Sequence, residues 1–434
     1  MSLRSPLYFA IMAGLLILVG VAQSWSVSLA IINLCLISAV MALGVNIQWG
    51  YAGLFNVGIM GFAALGGVAA MLVSVPPVPE AWSAGGGLMG LALFAVIVTI
   101  IGIVKLRQLL PRPWRGVMTV ILVVAGYFVA RSAFDPAVRL IEAIEPAKTG
   151  FLGGLGLPII FSWAVGGVFA AGAAWVVGKT ALGLRSDYLA IATLGISEII
   201  IVLLKNEDWL TRGVKNVTGL PRPVPLEIKL QNAPWFLDLA AQLGQNPVAF
   251  SSIFVKLCYA LLFAAVLLII VWLCERALNS PWGRMMRAIR DNRDSAAAMG
   301  KDVTARHLQV FVLGSAVVGI AGAMLTTLDG QLTPGTYNPL RYTFLIWVMV
   351  IVGGSGNNAG AVLGAFLVWF VWIQAEPAGL WAMDVITAGL GETSPLRLHL
   401  LDAAPHLRLF LMGVILLVVL RFSPRGLIPE RVGR

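Results

Sequence analysis

Charge is what this sequence lacks most. Only 12% of its 434 residues are Asp, Glu, Lys or Arg, against about 25% in soluble domains. Hydrophobic residues make up 59%, and the mean hydropathy is +0.90. From Ser5 to Pro79 there is not one charged residue. A run of that length excludes a water-soluble fold and puts the bulk of the chain in lipid. Histidine and cysteine are nearly as scarce. His307, His399 and His406 have no zinc-protease spacing, and no paired cysteine motif exists for a structural metal. Cys258 and Cys274 share one predicted helix about 24 Å apart, too far to bridge; with Cys35 they read as small buried hydrophobes. Gly178-Lys179-Thr180 ends like a phosphate-binding loop. However, Ala173 stands where its first glycine belongs, and the segment follows no strand. Gly354-Ser355-Gly356-Asn357-Asn358-Ala359 partly matches a dinucleotide fingerprint but lies between two apolar runs, outside any βαβ unit. The chain therefore has no sequence means of hydrolysing ATP or holding a redox cofactor, and no constellation for an intramembrane enzyme. The first apolar run reads as a span, because the next begins at once and no small-residue cleavage site precedes a soluble domain.

What is present is apolar length. A span needs about 20 residues. Twelve candidates appear: Leu7–Trp25, Val27–Asn46, Tyr51–Val75, Gly85–Val104, Gly116–Ala130, Leu155–Gly178, Tyr188–Leu204, Ile253–Cys274, Leu308–Leu328, Tyr342–Gly354, Ala359–Ala375 and Leu409–Leu420. Gly116–Ala130, Tyr342–Gly354 and Leu409–Leu420 are short, so the expected fold is an all-α polytopic transmembrane bundle of about 10–12 spans. The net charge is +10. Twelve spans put both termini on one side. If that side is cytoplasmic, 18 of the 30 Lys and Arg residues face inward, including Lys105, Arg107, Arg112 and Arg115 with no acid among them. This agrees with the positive-inside rule. Residues 205–252 are then a periplasmic loop and 275–307 a cytoplasmic one. Residues 1–26 form an extra N-terminal span ahead of a main domain over 27–434.

Three features within the spans stand out. Gly356, Gly360 and Gly364, and likewise Ser315, Gly319 and Ala323, repeat every four residues, which lets helix backbones approach closely. Asn46, Gly50, Gly53, Asn56 and Gly58 form a polar, glycine-rich stretch. It reads either as a broken segment near a solute path or as close helix packing; broken helix in lipid is tolerated only where it is buried in protein or lines a cavity. Glu198 is the one carboxylate in the middle of a span. It is either a structural carboxylate bonded within the bundle or part of a path. One such group argues weakly against proton coupling.

Residues 284–299 carry no Gly or Pro and predict a short amphipathic helix outside the bilayer, ended by Gly300. Arg287 with Asp291, and Arg290 with Asp294, are spaced i,i+4. A solvated helix and a docking element for a soluble partner both fit. At this point the chain resembles the permeases of branched-chain amino acid ABC importers, LivM type. Asp294-Ser295-Ala296, three residues, Gly300 is a degenerate form of their coupling motif, which usually reads Glu-Ala-Ala, three residues, Gly; the later Ile-x-Leu-Pro part is absent. Leu184 to Gly195 with Glu198, Gly283 to Asn292, Ile351 to Gly356, and Ser423 to Pro429 carry the rest of the resemblance, in order, from about residue 30 onward.

The resemblance implies an alternating-access transport subunit and not an enzyme, sitting multi-pass in a bacterial inner membrane with both termini cytoplasmic. It implies a second, LivH-like permease completing the pore, two ATPase subunits that hold the ATP and magnesium, and a periplasmic binding protein delivering Leu, Ile or Val. No cofactor on this chain and no nucleic acid are expected. Arg284, Arg287, Arg290, Asp291, Asp294 and Gly300 are then the coupling residues. Asn46, Gly50, Gly53, Asn56, Tyr188, Glu198, Gly353 and Gly354 are candidates for the path. Permeases for urea, short amides or an aromatic acid, and an ion-coupled secondary transporter, are the alternatives.

Overall fold

The computed structural model describes residues 4–145, 149–391 and 394–430; Lys148, Arg431 and Arg434 of the charge count lie outside them. Lipid offers no partner for a free peptide group, so apolar runs must satisfy their hydrogen bonds internally as helix. The helices are α1 (Arg4–Ala22), α2 (Trp25–Val45), α3 (Ile59–Ser74), α4 (Gly87–Leu109), α5 (Arg112–Glu142), α6 (Ile160–Ala181), α7 (Ser186–Asn206), α8 (Pro247–Leu278), α9 (Pro281–Asp291), α10 (Arg293–Ala298), α11 (Val303–Asp329), α12 (Pro339–Gly353), α13 (Asn358–Ile386) and α14 (Leu407–Phe422), with short helical turns between them. Side-chain caps mark several starts: Ser24 accepts from the Val27 amide, Asn246 from Val248, Asp302 from Ala305 and Asn338 from Arg341.

Each of the twelve apolar runs contains a helix, and ten helical stretches are long and apolar enough to cross a membrane. The short candidate Gly116–Ala130 grows into the 31-residue α5. The short candidate at 409–420 joins its preceding turns into a stretch over Pro395–Phe422. The helices α3 and α12, at 16 and 15 residues, reach about 24 and 22 Å at 1.5 Å per residue, short of the roughly 30 Å hydrocarbon core. Irregular chain continues each of them, at 53–58 and 354–357.

The centre of the bundle is α2, α3, α6 and α11, with α12 and α13 packed against α2. Apolar burial gives helices little reason to associate in lipid; close packing does. The seams are accordingly made of small residues. A methyl on Gly66 would collide with the Gly319 carbonyl, one on Gly322 with Ala63, and one on Gly364 with Met349. Phe62 of α3 and Phe311 of α11 lock this centre edge to face, 5.8 Å apart. By contrast, α4 and α5 form a peripheral hairpin packed mainly on each other and exposed along nearly their whole length. A two-stranded pairing, β1 (Val217–Thr218) with β2 (Gln331–Leu332), pins the 207–246 segment to the end of α11. Opposite that loop face lie α9, α10, residues 46–53 and the C-terminal tail, joined by the contacts described next.

Candidate functional site

The polar stretch after α2 is a genuine break. Asn46–Gly50 takes a wider π turn, and the chain leaves helix at Gly53, whose φ is +69°. Its polar side chains are tied across the bundle. Asn46 Nδ2 donates to Asn358 Oδ1 at 3.1 Å, and Asn46 Oδ1 accepts from the Gly356 amide at 2.9 Å. Asn358 Nδ2 donates in turn to Glu275 Oε1 at 2.9 Å. Further along, Gln48 Nε2 donates to the Phe311 carbonyl and to Ser315 Oγ, and Asn56 Nδ2 donates to Gln48 Oε1. On the α7 side, Thr193 Oγ1 accepts from the Val57 amide and Ser197 Oγ from Gly61. Asn46 and Asn56 are 0% and 2% exposed, so they fasten the break and do not line an open surface. Gly353 is fastened too: the tail's Leu427 and Ile428 amides donate to the Val352 and Gly353 carbonyls, each at 2.9 Å, and a methyl on Gly354 would collide with the Ile428 carbonyl.

The 284–299 segment differs from the single helix expected. It is two helices, broken at Asn292, whose backbone is extended (φ −152°, ψ 101°) and whose side chain accepts from the Ser295 amide to start α10. The break has a local cause, the Asn292 side chain capping a new helix in place of continuing α9. Neither i,i+4 ion pair forms; Arg290 turns inward, with Nε 3.2 Å from Asp291 and Nη1 2.9 Å from Glu430 of the tail. The same Nη1 donates to the Gly50 carbonyl. Burial alone would weaken the Arg290 charge, but the hydrogen bonds and charges of Glu430 and Asp291 outweigh it and hold the guanidinium above its ordinary range. Gly300 does end the segment, at φ +77°: its amide donates to Ala297 and the Lys301 amide to Ala296, the paired bonds of a glycine-terminated helix. Met286 and Ile289 are buried beneath α9, whereas Arg284, Asp291 and Asp294 are exposed. Arg287 is half-buried and donates to the Leu278 carbonyl at the end of α8.

Tyr188 and Glu198 stand apart from this network. Both are exposed on α7, Tyr188 to 62%, on a face shared with Ile191, Gly195 and Val202. The opposite face of α7, with Thr193, Ser197 and Ile201, is buried. Beside the break lies a groove of about 1040 Å³, lined by Phe55, Val57, Phe344, Trp347 and Met412, with Arg341 in its wall. Trp347 Nε1 donates to the Asn56 carbonyl, so the groove wall and the break are one unit. Three residues central to the latch, Gln48, Glu275 and Glu430, escape a sequence reading because their partners are distant in the chain. No group of His, Cys, Asp and Glu among the described residues is arranged to hold a metal.

Ten spanning stretches around a broken, internally latched segment, with a polar-bearing face left open, define a polytopic membrane permease. A family model described as the permease component of branched-chain amino acid transport systems matches residues 27–420. The chain belongs to that family. It is 26% identical over 281 residues to a probable branched-chain amino acid transport permease protein LivM of Methanocaldococcus jannaschii, covering 64% of this chain and 70% of that one. It is 28% identical over 211 residues to the high-affinity branched-chain amino acid transport system permease protein LivM of Escherichia coli, spanning about half of each. The xylose transport system permease protein XylH of Escherichia coli is 25% identical over 251 residues, covering 57% of this chain and 50% of that one. No solved structure matches.

Proposed function

We propose that this chain is one of two permeases of an ATP-driven importer for branched-chain amino acids, and forms one side of the path. The observation that carries this is Glu198, which lies in the middle of a spanning helix and is exposed. A carboxylate facing hydrocarbon is costly, so such groups face a bundle interior or a wet cavity. The open face of α7 is therefore covered by another chain across a water-accessible path, and not by lipid. The groove favours an aliphatic side chain over a sugar. Its lining is mostly apolar and aromatic, whereas a sugar's many hydroxyls need as many polar partners.

The energy enters from outside. Separate ATPase subunits, which hold the ATP and magnesium, close on the exposed residues of α9 and α10. Arg290 carries that motion into the Gly50 turn, and the packed helices switch the path between faces. Reversing a 1:99 bias takes about 5.5 kcal/mol of differential binding, which this chain cannot generate itself. A binding protein delivers the solute at the loop face, on the periplasmic side of a bacterial inner membrane, with both termini cytoplasmic. The test is competition. In cells carrying the system, uptake of labelled leucine should fall with excess isoleucine or valine and be untouched by excess xylose. Competition by xylose and none by valine would overturn the assignment.

A further inference from the structure

A niche of about 780 Å³ opens on the peripheral hairpin, between α4, α5 and the turn that follows α7. Its charged lining residues are Arg131, Asp135 and Glu207. Arg131 Nε donates to Asp135 Oδ2 at 2.9 Å and Nη1 to the Tyr127 hydroxyl at 2.6 Å, which leaves Nη2 without a partner among the described residues. Glu207 makes no ion pair among them; its Oε2 accepts from the Trp209 indole at 2.6 Å. Arg131 stands about 24 Å along α5 from Arg115 in the first turn, at 1.5 Å per residue. With side chains that reach toward water, two such arginines bracket a hydrocarbon core of about 30 Å. The niche therefore lies at head-group depth on the loop face. Trp82 and Trp209 line it as well, as aromatic rings do where a membrane meets water.

Toward the other face the two helices continue as apolar surface, with Ile100 and Val124 56% and 48% exposed. In a bilayer that surface is covered by lipid tails or by another protein, and a charged niche at its head favours a molecule carrying both parts. The charges then specify the head. One guanidinium with free N–H groups takes a phosphate through charge-assisted hydrogen bonds. Two carboxylates beside it call for a cation, and their excess over the single arginine opposes a head that is anionic overall. An ammonium brings three N–H donors to those carboxylates, whereas a trimethylammonium brings none. We infer that the niche binds a phospholipid with an ethanolamine head, its phosphate on Arg131, its ammonium between Asp135 and Glu207, and its tails along α4 and α5. The niche shares no lining residue with the groove beside the break, so the inference stands apart from the transport reading.

The test offers the full-length, delipidated chain equal amounts of phosphatidylethanolamine, phosphatidylcholine and phosphatidylglycerol with identical tails, and counts bound lipid by native mass spectrometry. One ethanolamine lipid per chain should be retained, at least fivefold over either competitor. Glu207→Gln, which keeps an acceptor for Trp209, should bring the ethanolamine and choline lipids within twofold of each other, and Arg131→Gln should weaken both. Gly90→Phe fills the niche from a lining position with nothing within 4 Å, and should abolish retention. Gly172→Phe, at an equally open position on α6, should leave it intact. Equal retention of the three lipids, or a preference that Glu207→Gln and Gly90→Phe leave unchanged, would overturn the inference. So would loss of the lipid when the second permease is added, since a protein would then be what covers the niche.

Discussion

Gly50 sits where a side chain cannot. A methyl there would collide with Asn46 Oδ1 and with the Gly356 amide that bonds it, so Gly50→Ala should force apart the Asn46–Gly356 contact. Overpacking of this kind costs about 1–3 kcal/mol. The thermal midpoint of the detergent-solubilised chain should fall, whereas Gly195→Ala, where nothing lies within 4 Å, should leave it unchanged. Arg290 makes a second residue-level claim. Its Glu430 partner is only 19% exposed, so Arg290→Gln leaves a largely buried carboxylate without its cation, at a cost of about 1–3 kcal/mol. Arg290→Gln with Glu430→Gln should recover part of that loss in a double-mutant cycle. Equal losses from the double and the summed singles would deny the latch. Uptake should fail in both variants, since each cuts the link between α9 and the Gly50 turn.

Among the elements, α9 and α10 test coupling most sharply. Asn292 separates them and caps the second. Asn292→Ala removes that cap, worth about 1 kcal/mol. It should speed amide exchange over residues 293–299, while Asn292→Asp, which still caps, should not. The elements also show how much a chain of residues discloses by itself. Twelve apolar runs are twelve helices because hydropathy over a span reports directly on the solvent, lipid, and lipid permits little but helix. The same logic makes a break at 46–58 legible, since Asn, Gln and Gly in a span must be paired internally. What the pattern conceals is where the pairing goes. Arg290 has two acids close by in sequence, Asp291 and Asp294, yet it reaches Glu430 and Gly50, which only the fold brings near. Asn358, which reads as part of a poor dinucleotide fingerprint, bonds Asn46 and Glu275. Local spacing describes a helix on its own, and a bundle decides which side chains it has room to bury.

As a whole the molecule is asymmetric. One flank is a lipid-exposed hairpin, α4 and α5, that contributes little to the centre. Another carries Glu198 and Tyr188 on the open face of α7, the surface proposed to meet a second permease. The latch at Arg290 joins α9, whose Arg284 and Asp291 are exposed, to the break. The most direct measurement is leucine uptake into sealed vesicles containing either this chain alone or this chain with its second permease, ATPase subunits and binding protein. Uptake should appear only in the complete assembly and only with ATP. Leucine carried by this chain alone, with or without an ion gradient, would contradict the account.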